Sequence, residues 1–171
     1  MKVLITGAHG DIAQSIFRII KTSYSKTSIH GMDCKSDGPG KYLFEKFILS
    51  RKASDKNYIK FVKKLSKKYN LLIPTSEAEM ICLSKNYSQI KNLPILINKP
   101  KIISLFVDKL RTYNFLKGKN IDVPSFCVSL VNLKKYTKPF FLKTKLGSGN
   151  KNYKIINSKE KFNNLKKIKK N

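Results

Sequence analysis

The sequence has few of the residues that build covalent or metal cross-links. It contains no tryptophan and only three cysteines, Cys34, Cys82 and Cys127, which lie far apart in a chain of 171 residues. No C-x-x-C pair accompanies the two histidines, His9 and His30. A disulfide framework uses an even set of cysteines, and a structural zinc site uses closely spaced Cys and His ligands. The sequence therefore predicts neither a disulfide framework nor a metal site.

Long apolar runs are also absent. No stretch approaches the roughly 18 consecutive apolar residues that a membrane-spanning helix needs. The N-terminus, MKVLITGAHG, carries an apolar run that is too short for a signal peptide and ends in a turn. We therefore expect a cytoplasmic protein with no membrane partner.

Acidic residues are scarce. Ten Asp and Glu residues stand against 36 Lys and Arg residues, which gives a formal net charge of +26. Such a charge attracts nucleic acid through counterion release. However, only three of the basic residues are arginines, whose forked side chains suit base reading, and the lysines are spread over almost every segment. This composition is typical of an AT-rich genome, so we expect nonspecific nucleic-acid binding only. A noncatalytic basic nucleic-acid-binding protein stays open as an alternative.

Hydrophobic residues make up 41% of the chain, and their spacing indicates an α/β fold. Short β-rich segments alternate with amphipathic segments over the first hundred residues, as in a Rossmann-like, doubly wound parallel sheet. We predict strands at residues 3–6, 28–32, 70–74 and 94–98, and helices at residues 11–21, 55–69 and 77–87.

The pattern changes near residues 98–101, where we place a boundary between a domain of residues 1–98 and a second of residues 99–171. In the second domain we predict a helix over residues 101–116, which stops at Gly118. Strands at residues 126–130, 140–143 and 153–157 and a last helix from Ser158 follow. The fold class of this part is an incomplete α+β lobe.

Two glycine turns are candidate phosphate sites. In the first, Gly7 and Gly10 lie between a strand and a helix, and Asp33 ends the next strand, where a carboxylate could accept from a ribose hydroxyl. This turn resembles the TGxxGxxG of extended short-chain dehydrogenases and epimerases, although their Y-x-x-x-K pair occurs three times here and carries little information. An NAD(P)-binding module of that kind is one alternative, and a turn that needs glycine only for packing is another.

In the second turn, Lys143 leaves a predicted strand four residues before Gly147-Ser148-Gly149. A lysine ammonium supplies positive charge, and glycines let backbone N–H groups approach anionic oxygens. The alternative is an ordinary hairpin turn in a lysine-rich chain.

The order of several motifs is more specific than any one of them. Asp108-Lys109, Thr112, Phe115-Leu116 and IDVP at residues 121–124 precede FFLK at residues 140–143 and the second glycine turn. This order closely resembles the start of the ATP-grasp fold in carbamoyl-phosphate-synthase-like carboxylate-amine ligases. Upstream, ITGAHGDIAQSI, GMD at residues 31–33 and IPTSEAE at residues 73–79 resemble the Rossmann-like pre-ATP-grasp domain of that family.

The resemblance implies roles for particular residues. Lys109 and Lys143 match the family lysines that contact ATP phosphates, and residues 147–149 match the mobile loop that closes over them. Glu77 and Glu79 lie where the family forms its acceptor-substrate cleft, although acids in a helix first turn also favour the helix dipole. The implied ligands are ATP with Mg²⁺, a carboxylate and an amine.

The sequence departs from the family after the glycine loop. The family's adenine-binding hinge, magnesium ligands and catalytic arginine all lie downstream of that loop, and Glu160 is the only acidic residue after Asp122. We therefore expect the N-terminal portion of a ligase, which binds ATP phosphates but does not catalyse alone. A frameshift, a split gene or a second polypeptide that supplies the missing lobe would account for such a chain.

Overall fold

The computed structural model describes residues 1–128, 139–147 and 153–157. The chain divides into two compact units, Met1–Ser104 and Leu105–Asn171. The α/β class predicted from the sequence is confirmed, since a four-stranded parallel sheet with helices forms the first unit. The domain boundary predicted at residues 98–101 stays a prediction.

The first unit is built on a parallel sheet whose strand order is β3-β2-β1-β4. Its strands are β1 (Lys2–Thr6), β2 (Ser28–Asp33), β3 (Lys46–Leu49) and β4 (Leu71–Ile73). Its helices are α1 (Asp11–Ser23), α2 (Gly40–Leu43), α3 (Tyr58–Ser66), α4 (Glu77–Lys85) and α5 (Tyr87–Ile90). The chain builds outward from β1 in both directions. The carboxyl ends of β1 and β4 therefore form the crevice where open α/β sheets bind ligands.

The core lies on both faces of β1. Leu4 is fully buried with Tyr58 and Leu72 on one face, and Val3 and Ile5 are fully buried on the other. Successive strand residues point to opposite faces, so a strand covered on both sides reads as the continuous apolar run that the sequence shows.

The described part of the second unit contains one complete helix and a two-stranded sheet. After α6 (Pro100–Phe106), which crosses the unit boundary, come α7 (Lys109–Lys117), β5 (Phe140–Lys143) and β6 (Tyr153–Ile156). β5 and β6 pair antiparallel, with Phe141 opposite Ile155 and Lys143 opposite Tyr153. The predicted strands at residues 140–143 and 153–157 are confirmed to within one residue, and the predicted last helix from Ser158 lies outside the described residues.

Three sequence predictions of the fold were wrong. Residues 94–98 form a single bridge, Leu72 to Ile95, instead of a strand. β4 is only three residues long and is followed by Pro74, which has no N–H to donate. It therefore offers residues 94–98 too few hydrogen-bonding partners for a strand. The predicted helix over residues 101–116 is two helices, because the Asp108 side chain caps a new helix at that point. No strand forms over residues 126–128.

Another correction concerns elements near the edge of the sheet. β3 was not predicted, because its four residues follow a glycine-rich loop and show no alternation; pairing with β2 stabilises it. The helix predicted from residue 55 begins at Tyr58. Asp55 instead accepts from the backbone of Asn57 at 2.7 Å, which forms a turn before the helix.

A buried histidine on β2 predicts a pH dependence of stability. The Nδ1 atom of His30 lies 2.8 Å from the Tyr69 hydroxyl, and burial, followed by the charge of Lys2, lowers the pKa of His30 below 6.5. The unfolded chain therefore binds a proton that the folded chain does not, so the free energy of unfolding should fall as the pH drops below 6.5.

The measurement is urea unfolding followed by circular dichroism at about pH 7.5 and about pH 5.5, on either side of the histidine transition. The loss on acidification should be smaller in His30→Gln, which carries no titrating group. An equal loss in both proteins would assign the pH dependence to other groups.

Candidate functional site

The second unit brings together residues that are far apart in sequence and were predicted to bind phosphate. Lys109 is the first residue of α7, and its ammonium donates to the Gly147 carbonyl at 2.6 Å. Its backbone N–H also donates to the Lys145 carbonyl at 3.2 Å. The start of α7 and the loop after β5 therefore form one local structure.

Lys143 ends β5 just before this loop. On β5 the exposed residues alternate with half-buried ones, and Lys143 shares the exposed face with Phe141, whose ring lies 5.9 Å from the Lys143 ammonium nitrogen. The loop turns at Gly147, where φ is +118°, a value that favours glycine. Ser148 and Gly149, also predicted for the loop, lie outside the described residues.

Asp108 is a site residue whose role the sequence did not reveal. Its carboxylate is buried, and Oδ1 accepts from the backbone N–H groups of Leu110 and Arg111, each at 3.1 Å. Oδ2 forms an ion pair with the Lys145 ammonium at 3.1 Å. An Asp directly before a helix is a capping signal. The prediction of one continuous helix over residues 101–116 placed Asp108 in the helix interior, so the signal was not used.

The electrostatics of Asp108 agree with this geometry. Burial alone would raise the pKa of Asp108, but the hydrogen bonds from Arg111 and Lys145 outweigh burial and hold the pKa below its usual value. Asp108 is thus a carboxylate at neutral pH. Asp108 neutralises Lys145, whereas Lys109 and Lys143 form no ion pair with an acid among the residues that the structure describes, so their charges can attract an anion.

The amides at the start of α7 are already used. Lys109 donates to the loop, Leu110 and Arg111 donate to the Asp108 side chain, and Thr112 donates to the Asp108 carbonyl at 2.9 Å. A free helix N-terminus can bind phosphate through such groups. In this unit the recognition of an anion therefore falls to the lysine side chains and the loop.

In the first unit, the glycines of the turn after β1 are needed for the packing and hydrogen bonding of that turn. Gly7 has a φ of +61°, and a Cβ at this position would lie 2.7 Å from the Thr75 hydroxyl oxygen. Glycine is therefore required for the turn to pack against the loop after β4. Gly10 is the N-cap of α1, and its N–H donates to the Gly7 carbonyl at 2.9 Å.

Two other amides of this turn, those of Ala8 and His9, are also occupied. The N–H of Ala8 donates to the Met32 carbonyl at 3.1 Å, and the N–H of His9 donates to Asp33 Oδ2 at 3.2 Å. The other Asp33 oxygen accepts from the Lys35 N–H at 3.0 Å. Asp33 thus holds the turn in place, which gives its carboxylate a structural role.

Glu79 lies buried below the same edge of the sheet. Its carboxylate oxygens accept from the Thr6 hydroxyl at 2.6 Å and the fully buried Tyr58 hydroxyl at 2.7 Å. Burial raises the pKa of Glu79, although these hydrogen bonds oppose the shift, and burial raises the pKa of Tyr58 well above its ordinary value. Glu79 therefore joins β1, α3 and α4, while Glu77 of the same helix turn is half-buried.

The candidate residues therefore fall into two groups. Gly7, Gly10, Asp33, Glu77 and Glu79 lie at the carboxyl edge of the parallel sheet in the first unit. Lys109, Lys143 and Gly147 lie at the loop of the second unit. Within the described ranges no three His, Cys, Asp or Glu side chains come close enough to hold a metal ion. No helix in those ranges has the length and apolarity needed to cross a membrane.

Comparison with known proteins gives matches in structure only. No protein-family model and no curated protein sequence matches the chain. Among solved structures, it is similar to N5-carboxyaminoimidazole ribonucleotide synthetase from Thermotoga maritima, with a TM-score of 0.67, 17% identity and 95% of this chain covered. The Staphylococcus aureus N5-carboxyaminoimidazole synthetase complexed with ADP gives a TM-score of 0.71, 20% identity and 98% coverage.

A third structure extends the likeness. The biotin carboxylase domain of Hydrogenobacter thermophilus 2-oxoglutarate carboxylase, in complex with MgADP, ADP and bicarbonate, matches with a TM-score of 0.64, 16% identity and 98% coverage. The chain spans 40% to 44% of the length of these three solved chains. The neighbours are ATP-grasp ligases, and at such low identity the likeness shows their fold. The carbamoyl-phosphate-synthase-like subtype stays a prediction.

Proposed function

We propose that this chain is an N-terminal portion of an ATP-grasp carboxylate-amine ligase and binds the phosphates of ATP through Lys109 and Lys143. The observation that carries the proposal is the contact between Lys109 and Gly147, which are 38 residues apart. This contact joins Lys109 to the loop that follows Lys143, and the family resemblance assigns both lysines and this loop to ATP. Neither ammonium forms an ion pair with an acid in the described part of the chain, and such cations near a glycine turn suit a polyphosphate.

The exposed face of the second sheet supports a ligand with a flat apolar part. Phe141, Tyr153 and Ile155 share this face with Lys143, and they are 64%, 46% and 46% exposed. The opposite face carries Ile156, which is buried. An exposed aromatic surface next to a cation offers stacking for a nucleobase and charge for its phosphates.

The magnesium ion of such an enzyme finds no ligand set in the described part of this chain. No cluster of acidic, histidine or cysteine side chains lies there, and the lysines at the loop repel a cation. Bound Mg²⁺ would neutralise the charge that develops on transferring phosphates. We therefore expect any magnesium ligands to come from outside the described residues.

The parent reaction is proposed as two steps. A substrate carboxylate oxygen attacks the γ-phosphorus of ATP, and the bond to the β,γ-bridging oxygen breaks, which releases ADP and forms an acyl phosphate. The lone pair of an amine then attacks the acyl carbon, phosphate leaves with the electron pair of the C–O bond, and the nitrogen loses a proton. The same proposal includes a second polypeptide, which would supply the remaining lobe for this reaction.

For the first unit we propose acceptor-substrate binding at the carboxyl ends of β1 and β4. Gly7 lies beside Thr75 there, and Glu77 begins α4. Of the two acids predicted for this cleft, Glu77 is the candidate for substrate contact, because both oxygens of Glu79 are occupied by buried hydroxyls. The Asp33 carboxylate accepts from two backbone amides of the turn, which weighs against the ribose contact that the dehydrogenase-like alternative needs.

The test is a titration of the full chain with ATP, with and without Mg²⁺, followed by the amide signals in nuclear magnetic resonance spectra. We expect saturable shifts for residues 140–147 and 153–156. Shifts confined to residues 7–13, in a titration with ATP or NAD⁺, would support the dinucleotide-binding alternative instead. The absence of any saturable shift would contradict the proposed function.

A further inference from the structure

Three contacts join the start of α7 to the loop after β5. The backbone N–H of Lys109 donates to the Lys145 carbonyl, the Lys109 ammonium donates to the Gly147 carbonyl, and Asp108 pairs with the Lys145 ammonium. We call this group of four residues, Asp108, Lys109, Lys145 and Gly147, the clasp. All four residues lie in the part of the chain that the structure describes, and their contacts lie within the second unit.

The clasp combines a buried carboxylate with an exposed lysine. Asp108 is buried and fixed by two backbone donors, whereas the Lys145 side chain is 58% exposed. The ion pair with the buried Asp108 therefore keeps residue 145 of the loop close to the start of α7. Loss of the acid charge would also leave Lys109 and Lys145 to repel each other across this short loop.

We propose that Asp108 and Lys145 are positioning residues for nucleotide binding. Their ion pair holds the loop against α7 so that Lys109 is within reach of the phosphates, an inference that rests on the proposed function. Neither residue contacts the nucleotide in this scheme. A lysine has three donors, so Lys109 can keep its bond to the Gly147 carbonyl while another N–H meets phosphate.

The first experiment follows amide hydrogen exchange in the full chain without nucleotide. Asp108→Asn keeps a side-chain oxygen for the cap but removes the charge, Lys145→Met removes the ammonium, and Lys145→Arg keeps the charge. We expect the Lys109 amide to exchange about tenfold faster in the first two variants, because its bond to the Lys145 carbonyl opens. The amides of Leu110 and Arg111 should stay protected in Lys145→Met, which shows that α7 is still capped.

The second experiment measures the dissociation constant of MgATP for the same proteins. We expect a loss of affinity of about three- to tenfold in Asp108→Asn and Lys145→Met, and wild-type affinity to within about twofold in Lys145→Arg. The matched control is Lys119→Met, which removes an exposed lysine from the same unit. Its affinity should change by less than the two clasp variants do.

The two experiments separate the possible failures. Unchanged exchange of the Lys109 amide in Lys145→Met would overturn the clasp itself. Faster exchange with unchanged MgATP affinity would overturn the positioning role and leave the proposed function intact. If the wild-type chain does not bind MgATP at all, the proposed function and the positioning role both fail, while the exchange data still decide whether the clasp forms.

Discussion

Lys143→Met is expected to weaken MgATP binding by roughly ten- to a hundredfold. A hydrogen bond between an ammonium and a phosphate contributes about 1.5 to 3 kcal/mol, and methionine keeps most of the side-chain volume while removing the charge. Isothermal titration calorimetry on the full chain measures the change. The expectation follows from the position of Lys143 on the exposed face of β5, beside Phe141.

The matched control for this variant is Lys154→Met. Lys154 is also exposed, but it pairs with Leu142 and therefore lies on the opposite face of the same two-stranded sheet. Its loss should change the affinity by about twofold or less, since only long-range attraction is affected. Equal losses in the two variants would mean that ATP responds to net charge alone and that the β5 face is not its site.

Glu79→Ala is expected to lower the free energy of unfolding of the first unit by about 3 kcal/mol or more. The substitution leaves two buried hydroxyls, those of Thr6 and Tyr58, without an acceptor, and it opens space between β1, α3 and α4. An unpaired buried polar group costs about 1 to 3 kcal/mol. Urea unfolding followed by circular dichroism gives the value, and Glu79→Gln should recover part of it because its amide oxygen still accepts one hydroxyl.

Glu77→Ala supplies the comparison within the same helix turn. Both acids lie in the first turn of α4, where either favours the helix dipole by about 0.3 to 1 kcal/mol. If the two variants lose the same stability, the buried network contributes nothing beyond the dipole. A large loss for Glu79→Ala alone would separate the scaffold role of Glu79 from the substrate role proposed for Glu77.

The sequence predicted strands that carry their own apolar pattern and missed those that depend on partners. β1 and β2 are buried runs of β-favouring residues, and their predicted positions agree with the structure. β3 exists because β2 offers it a parallel partner, which no local pattern reports. Residues 94–98 show the reverse case, in which a good β segment meets a strand too short to pair with it.

In the candidate site, too, the sequence predicted some features and missed others. The sequence predicted that Lys109 and the second glycine turn belong together, and the structure places the Lys109 ammonium on the Gly147 carbonyl. Their roles in ATP binding stay predictions. The ion pair of Asp108 with Lys145 was missed, because a contact across 37 positions leaves no spacing signal and the chain has a lysine in almost every segment.

The position of β1 in the middle of the sheet also constrains the order in which the chain can fold during synthesis. β2 and β3 can pair on one side of β1 once residue 49 has emerged, but the other side stays unpaired until β4, which ends at Ile73, is available. A nascent chain that pauses between these points exposes the unpaired edge of β1, which contains the apolar run Val3 to Ile5. The time that β1 spends as an edge strand during synthesis is therefore set by how quickly residues 50–73 are added.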